Sequence, residues 1–372
     1  MKTVYPKTKH GIVHRVTNSY YAYNGWPTLV RDENENLYVA ASGFRLMHHS
    51  PDGKNIFFVS RDRGETWAGP TVINDSFLDD RDGGLVYLGN GRMLTTWFTL
   101  PVSDYDKSGD YYDKITNPER AGEPYASLNR ALLEVIFSLP EEEKIGSSYY
   151  AISEDYGVTW SKPKRMPISA PHGPALARDG SLLYLGKEFC APDVLKEDEI
   201  AFYKSYDGGE SWEQISRLPR PSCLKAHERF CEPHVIELPS GRLLGAFRIE
   251  PRYPFTMATA FSDDGGKTWS EAVDLGFPGA PPHLMLHSSG ALILTYCRRF
   301  PPFGERAIVS YDYGETWEED YILDERSANG DLGYGSTVEM DDGSLMTVYY
   351  QKVEGDKKTS ILYTKWNLKK RN

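Results

Sequence analysis

One eight-residue pattern recurs five times along this 372-residue chain, and it restricts the fold more than any other feature. The pattern is Ser-x-Asp-x-Gly-x-Thr/Ser-Trp, and its copies are residues 60–67, 153–160, 205–212, 262–269 and 310–317. In each copy the Ser and Asp side chains can accept hydrogen bonds from turn N–H groups, the Gly can take a positive φ, and the Trp can pack between strands. We interpret the copies as fold markers, because a catalytic residue is not needed five times and a calcium loop has a different pattern.

A second repeat alternates with the first, and each copy has two runs of alternating apolar residues around a short polar turn. This is the pattern of a β-hairpin. The six copies are residues 28–40, 85–95, 175–184, 235–244, 284–293 and 337–346. Each is followed by a further strand pair, which gives six small four-stranded sheets that must pack on one another, and radial closure leaves only short edges. The sequence therefore predicts an all-β fold, a six-bladed β-propeller, as a single domain over residues 1–372.

The longest gap between two copies of the eight-residue pattern contains an additional segment at about residues 104–146. Within it, the apolar residues of 126–139 recur at intervals of three and four, which predicts a helix. One helix in roughly 40 residues buries too little surface for a separate domain. We therefore expect a short, partly helical insertion on one face of the disc. Two roles stay open for it, covering the pocket and contacting another protomer.

Composition excludes several classes of function. Lys and Arg number 42 and Asp and Glu 53, a formal charge of −11, so no nucleic-acid partner is expected. No apolar stretch reaches 18 residues, so no membrane partner is expected either. The first residues lack the apolar core of a secretion signal, which predicts a cytoplasmic protein, or a secreted one if a leader has been removed. The cysteines form no Cys-x-x-Cys pair, and we expect no metal, no cofactor and buried apolar roles for Cys190, Cys223, Cys231 and Cys297.

The residues that open each hairpin should converge on one pocket, because the innermost strands of a propeller begin at its axial channel. These openings include Trp26, Asp82, His172, Glu232, His283 and Tyr334, and the ends of the second strands add Arg45, Arg248 and Arg298. Arginine forks bind carboxylates in bidentate fashion. A pocket with several arginines, a Glu and a Tyr suits an anionic ligand.

Over roughly the whole chain, the five boxes and six hairpins resemble the sialidase (neuraminidase) superfamily, the bacterial exo-sialidases with Asp-box (BNR) repeats. Residues 232–248, from Glu-Pro-His to Ala-Phe-Arg, resemble the sialidase stretch with a Glu and an arginine of the carboxylate-binding triad. Residues 334–345, which begin Tyr-Gly-Ser, resemble the stretch with the nucleophilic tyrosine. The resemblance implies that Tyr334 attacks the anomeric carbon, Glu232 takes the phenol proton and Arg248 binds the substrate carboxylate. A phenol is a poor nucleophile near neutral pH and needs such a base.

The resemblance also places an Asp, the general acid, between a triad arginine and the first box, and Asp52 stands there. Asp52 could equally belong to an ordinary Pro-Asp-Gly turn. The substitutes for it are His48, His49, Asp79 and Asp80.

The arginine triad departs from the family pattern. Trp26 stands where sialidases carry the first arginine, and a lost charge-assisted contact is worth roughly 1.5–3 kcal/mol. Either another arginine takes its place or the sugar is not an ordinary sialic acid, and Trp26 could stack on a sugar ring. Arg45 fits another arginine of the family, and the last triad position is open among Arg298, Arg299 and Arg306.

These residues predict an exo-α-sialidase-like glycoside hydrolase that releases a terminal acidic sugar from a glycan with retention, through a covalent tyrosyl intermediate. Two alternatives stay open. One is a propeller glycosidase or lyase acting on another sugar, for example in a rhamnose- or uronate-containing glycan, with His172, His234 and His283 as candidate acid or base groups. The other is a non-catalytic carbohydrate-binding propeller, since a fold does not imply a function.

Overall fold

Six sheets, one for each predicted hairpin, make up the computed structural model, which describes residues 1–187 and 200–369. The predicted six-bladed β-propeller is confirmed. Each blade runs from an innermost strand outward. The strands of blades one to three are β3 (Tyr23–Arg31), β4 (Leu37–Arg45), β5 (Lys54–Ser60), β6 (Ala68–Asn74); β7 (Asp80–Gly89), β8 (Arg92–Thr99), β9 (Ser148–Ser153), β10 (Lys164–Met166); β11 (Ala175–Leu176), β12 (Leu182–Gly186), β13 (Ala201–Ser205), β14 (Glu213–Arg217). Those of blades four to six are β15 (Arg229–Glu237), β16 (Leu243–Glu250), β17 (Thr256–Ser262), β18 (Val273–Pro278); β19 (His283–Leu286), β20 (Leu292–Arg298), β21 (Gly304–Ser310), β22 (Glu319–Asp324); β23 (Gly333–Glu339), β24 (Leu345–Lys352), β25 (Thr359–Trp366).

Burial follows the position of a strand in its blade. Strand β4 is buried along nearly its whole length, whereas β6 at the edge of the same blade is mostly exposed or half-buried. Middle strands carry near-continuous apolar runs because neighbouring blades cover both of their faces, and burial of these runs supplies the main favourable term in folding.

The first residues of the chain close the ring. Strand β2 (Lys9–His14) is the outermost strand of blade six, antiparallel to β25, with Lys9 opposite Lys365. Strand β1 (Lys2–Val4) runs parallel to β22 at the edge of blade five. Residues 2–14 therefore connect blades five and six.

The five boxes form the turns between the third and fourth strands of blades one to five. In the first, Asp62 Oδ1 accepts from the Thr66 N–H at 2.9 Å and from Ser60 Oγ at 2.7 Å, and the Gly64 N–H donates to Ser60 Oγ at 2.8 Å. The other four boxes repeat this network. Blade six has no such turn because its fourth strand, β2, comes from the other end of the chain, which explains five boxes in six blades.

Each box also seals the seam to the preceding blade. A Cβ built on Gly157 in blade two would overlap the Phe57 ring of blade one, and Trp160 contacts the same ring edge-on at 5.5 Å. The glycines of the other boxes meet the preceding blade through Met346, Leu94, Phe202 and Leu244. Their role as fold markers thus has two parts, a hydrogen-bonded turn and a close inter-blade contact.

The insertion between β8 and β9 contains three helices, α1 (Asp110–Thr116), α2 (Pro118–Ala121) and α3 (Tyr125–Phe137), flanked by 3-10 turns at Val102–Tyr105 and Glu141–Glu143. Helix α3 confirms the helix predicted at 126–139. The Tyr111 hydroxyl donates to the His49 carbonyl at 2.9 Å, and Met47 packs on the apolar cluster that contains Leu133. The insertion therefore rests on loop 46–53 at the end of β4.

Two negative expectations concern the described residues only. No helix among residues 1–187 and 200–369 is long and apolar enough to span a membrane. Cys231 and Cys297 are buried and Cys223 is half-buried, each with a free thiol, while Cys190 lies outside the described residues.

Candidate active site

Four innermost strands contain the same backbone irregularity, and each places a different side chain there. The pairing register shifts in β3, β7, β15 and β23, and the residues at the shifts are Trp26 (φ 53°), Asp82 (φ 60°), Glu232 (φ 48°) and Tyr334 (φ 57°). Blade three has Gly173 at φ 73°. A left-handed conformation costs a non-glycine residue about 1–2 kcal/mol, and bulges re-aim side chains next to active sites. The four bulges thus direct four chemically distinct side chains toward one region.

Tyr334 and Glu232 form the centre of this group. The Tyr334 hydroxyl donates a hydrogen bond to Glu232 Oε1, and Arg248 Nη1 donates to Glu232 Oε2 at 2.7 Å. Arg248 also pairs with Glu250 at 3.2 Å. The tyrosine is only 5% exposed. The structure therefore brings together the predicted nucleophile, its base and one carboxylate-binding arginine, from blades six and four.

The electrostatic surroundings of the pair separate the acid from the base. Burial acts to raise the pKa of Glu232, but the charge of Arg248 and the hydrogen bond from Tyr334 outweigh it, so its pKa lies below the ordinary value. Burial, followed by the charge of Glu232, raises the pKa of Tyr334 well above 10. Near neutral pH the tyrosine is a phenol bound to an ionised carboxylate, as a base-assisted nucleophile requires.

Arg299 is a second arginine next to Tyr334. Its guanidinium carbon lies 5.5 Å from the centroid of the Tyr334 ring, and its Nη2 donates to the Tyr350 hydroxyl at 3.4 Å. It follows Cys297 by two residues, and a Cβ on Gly333 would meet both Cys297 Sγ and the Arg299 guanidinium. Among the three arginines left open for the last triad position, the structure puts Arg299 beside the tyrosine.

Arg298 and Arg306 lie elsewhere. Neighbouring residues of a strand point to opposite faces, and Arg298 stacks over the Phe300 ring at 4.2 Å. Arg306 is bound to Asp320 at 2.9 Å and to Glu325 at 2.6 Å. No hydrogen bond or ring contact among the described residues joins either arginine to Tyr334 or Glu232.

Trp26 lies beside the tyrosine as a buried aromatic surface. Its ring is 1% exposed and meets the Tyr334 ring edge-on at 6.4 Å and the His48 ring at 5.0 Å. The guanidinium carbons of Arg81 and Arg45 lie 4.3 and 4.8 Å from its centroid. Both guanidinium groups therefore lie at distances from the Trp26 ring that are typical of cation–π contacts.

Arg45 and Asp52 make internal contacts. Arg45 is fully buried and donates two hydrogen bonds to Asp79, at 2.5 and 2.7 Å. Asp52 accepts from the Ser50 hydroxyl at 2.5 Å within the turn in which the Gly53 N–H donates to the Ser50 carbonyl. Burial raises the pKa of Asp52, against the Ser50 hydrogen bond. Asp52 is thus a turn residue near the Arg45–Asp79 pair, and its role as general acid stays a prediction.

His48, one of the substitutes for the acid, belongs to a small polar network. Its Nδ1 lies 2.7 Å from the Tyr23 hydroxyl and 3.2 Å from Asp331, and Tyr23 donates to Asp331 at 2.8 Å. Burial lowers the pKa of His48 to about 4 despite the Asp331 hydrogen bond. The network links loop 46–53 to the segment that precedes Tyr334.

Three histidines cluster behind the tyrosine. The rings of His234 and His283 stack at 4.6 Å, His172 meets His283 at 4.9 Å, and His172 lies 6.3 Å from Tyr334. Burial lowers the pKa of all three, of His234 to about 4. The three histidines are therefore neutral at pH 7. The described residues contain no group of three or more His, Cys, Asp or Glu arranged to hold a metal ion.

Asp82 is the fourth side chain at the bulges and the one most sensitive to pH. Burial raises its pKa to about 7, the charge of Arg81 opposes this, and the charge of Glu232 adds to it. Two carboxyl groups that repel each other protonate at different pH values, so Glu232 keeps the charge and Asp82 holds a proton through much of the acidic range.

Arg81, Asp331 and Tyr350 were not singled out in the sequence. For Arg81 the sequence contains one signal. Arg81 stands directly before the bulge residue of blade two, at the position where blades one and six have Gly25 and Gly333. Asp331 and Tyr350 reach the site only through sheet pairing and a loop, and Tyr350 lies opposite Gly333 in the β23–β24 register. No local pattern marks them.

Comparison with known proteins gives a family match and several similar structures. A family model described as BNR repeat-like domain matches residues 101–348. A search of curated proteins finds no match.

Three solved structures illustrate the likeness. A Dyadobacter fermentans protein of unknown function shares 19% identity over 98% of this chain and 100% of its own, with a TM-score of 0.74. The NanB sialidase of Streptococcus pneumoniae shares 12% over 96% of this chain and 70% of its own, with a TM-score of 0.66. An α-L-arabinofuranosidase of Fusarium graminearum shares 12% identity over 96% of this chain and 97% of its own, with a TM-score of 0.62. At these identities the likeness is one of fold.

Proposed function

Because the chain belongs to the BNR repeat-like domain family, we propose that it is a retaining exo-glycoside hydrolase of the sialidase type, which acts on a terminal acidic sugar. One observation carries the proposal. The Tyr334 hydroxyl donates to Glu232, which is itself held by Arg248. A buried tyrosine bound to an ionised carboxylate is the pair needed for a tyrosine nucleophile, the known exception to the two-carboxylate scheme of glycosidases.

In the proposed reaction, the Tyr334 oxygen forms a bond to the anomeric carbon as the bond from that carbon to the leaving oxygen breaks. Glu232 accepts the phenol proton, and Asp52 gives a proton to the leaving oxygen. Water then attacks the anomeric carbon of the tyrosyl intermediate with Asp52 as base, and Tyr334 recovers its proton from Glu232. Two inversions give net retention. The pKa of Asp52, raised by burial, suits a group that must hold a proton before it donates.

The arginines argue for an acidic sugar. Arg248 and Arg299 both lie next to Tyr334, and guanidinium groups in a water-poor site favour a carboxylate ligand. A second candidate, a retaining glycosidase for a sugar other than sialic acid, is favoured by Trp26 at the place of the first arginine. An arabinofuranosidase has the same fold, so the scaffold accommodates such sugars in other proteins.

The test is hydrolysis of fluorogenic glycosides by the wild type, Tyr334→Phe and the exposed-site control Tyr206→Phe. The panel contains an α-sialoside, an α-L-rhamnoside, a β-glucuronide and an α-L-arabinofuranoside. We expect the wild type to release the sugar from the sialoside with retention, which proton NMR detects. The rate of release should fall at least about a thousandfold in Tyr334→Phe and should not fall in Tyr206→Phe.

Other outcomes reassign the protein. Activity on another member of the panel that depends on Tyr334 selects the second candidate. Glycan binding without release from any member, by a protein with a cooperative unfolding transition, would leave a carbohydrate-binding propeller.

A further inference from the structure

Arg81 is an arginine whose hydrogen-bonding capacity is largely unused. Its Nη1 donates to the His48 carbonyl at 3.1 Å and lies 3.6 Å from Asp79, and its Nε has no partner although it is buried. The Nε of Arg45, on the same tryptophan, is also buried without a partner, but both Nη atoms of Arg45 donate to Asp79. Of the two cations on Trp26, Arg81 is the one whose fork is not taken up by a carboxylate at hydrogen-bond distance.

The position of Arg81 compensates for a missing group. Trp26 stands at the bulge of blade one, where the family resemblance leads one to expect an arginine. The guanidinium carbon of Arg81, from blade two, lies 4.3 Å from the Trp26 ring centroid. That ring contacts Tyr334 edge-on, so the cation is brought to the tyrosine from the neighbouring blade.

Two further guanidinium groups approach the same tyrosine. Arg248 reaches it through Glu232, and Arg299 lies 5.5 Å from its ring. The positive charges of both favour the ionised form of the Tyr334 hydroxyl. Arg248 and Arg299 therefore approach the tyrosine from blades four and five, and Arg81 of blade two lies on the tryptophan that contacts it.

We propose that Arg81, whose guanidinium lies over the Trp26 ring, is a further binding group for the carboxylate of the ligand, in a role that no arginine of blade one fills. The inference rests on the proposed function for the location of the site and deepens it by naming a further residue that recognises the carboxylate. The aromatic face restrains the guanidinium plane, so less side-chain freedom is lost when the fork binds.

A structural role for Arg81 makes a different prediction. If it served only as counter-charge to Asp79 and Asp82, its removal would lower stability and would affect charged and neutral ligands alike. A ligand-binding role changes the preference for a carboxylate over its uncharged analogue. The ratio of the two affinities is therefore the informative readout.

The experiment measures, by calorimetry, binding of free sialic acid, free glucuronic acid and their carboxamides to the wild type, Arg81→Met, Arg81→Lys and Arg298→Met. In Arg81→Met, we expect the preference for acid over amide to fall about ten- to a hundredfold, with partial retention in Arg81→Lys, which keeps the charge but loses the fork. Arg61→Met, at an exposed arginine of the first box, is the control for surface charge. Urea unfolding of each variant checks that it is folded.

Each outcome bears on one claim. A preference that survives in Arg81→Met, or that is lost in Arg298→Met instead, overturns the inference and leaves the hydrolase proposal standing. The inference is also overturned, and the hydrolase proposal stands, if the wild type hydrolyses a glycoside but binds neither free acid more tightly than its amide. A preference that depends on Arg81 in a protein without hydrolytic activity supports the inference and overturns the proposed function.

Discussion

Two positions in the blades, the boxes and the bulges, repeat in opposite ways. At the boxes the same side chains recur in five blades, with the same hydrogen bonds from Ser, Asp and Thr or Ser. At the bulges of the innermost strands the same backbone conformation recurs, but its side chains are Trp26, Asp82, Glu232 and Tyr334. Repeated side chains satisfy a turn, and repeated backbone with varied side chains builds a site. In this protein the proposed chemistry lies at the positions where the side chains break the repeat.

The largest effect that would break this comparison is on turnover. Glu232→Gln removes the proposed base but keeps an acceptor for Tyr334. Under the proposed function, we therefore expect kcat on the hydrolysed glycoside to fall at least about a hundredfold. Asp207→Asn, at a box, should leave kcat within about twofold and reduce only stability. Equal kcat losses in the two variants would show that the boxes take part in catalysis.

The next effect is on stability at a blade seam. Gly157→Ala forces a left-handed φ of 79° on Ala and overlaps Phe57, so we expect a loss of about 2–4 kcal/mol in the free energy of unfolding. Gly180→Ala is the matched control, with φ of 84° and no atom within 4 Å of the new Cβ, and should lose only about 1 kcal/mol. Urea denaturation measures both. Equal losses would contradict the seam contact and leave only the backbone term.

A smaller effect separates the bulges from the boxes. Glycine at a bulge relieves strain, so we expect Asp82→Gly to be more stable than Asp82→Ala by about 1 kcal/mol, because both variants lose the carboxyl group and only Ala keeps a Cβ at φ 60°. Thermal unfolding gives the difference. A more stable Ala variant would mean that the left-handed conformation stores no strain.

The smallest effect concerns acid. The side-chain and backbone hydrogen bonds from Thr66, followed by that from Ser60, lower the pKa of Asp62 from 3.8 to about 2. A carboxylate with a lowered pKa stabilises the fold above the unfolded value and loses this contribution as pH falls toward 2. Asp62→Asn should therefore unfold more readily than the wild type at pH 7, and the difference should vanish near pH 2. A difference that stays constant with pH would rule out the charge as its source.

Much of the fold was available from the sequence because its signals are local. The boxes and hairpins predict the blades, and the BNR repeats of the resemblance were confirmed by the family model. Tyr334, Glu232 and Arg248 could be predicted as site residues because each lies in a stretch with neighbours that resemble the family, and the structure brings the three together. The predicted site also included Trp26, which lies beside Tyr334.

The arginines were harder because their placement depends on the partners of each strand. Arg298 is the last residue of β20 and Arg299 follows it, and successive residues of an extended chain point to opposite sides. Arg81 required knowledge that blade two packs its guanidinium on a tryptophan of blade one. Neither relation is visible without the register and the order of the blades.

Strands β2 and β25 pair with each other but are synthesised at different times. Lys9 is made early and its partner Lys365 late, and at about 5–20 residues per second β2 stays without its partner for on the order of 20–70 s. During that interval it is an unpaired edge strand, the kind of segment that pairs with other chains. If β2 pairs in that interval with the β25 of another chain, the strand that closes the ring in one molecule links two, which gives a swapped dimer.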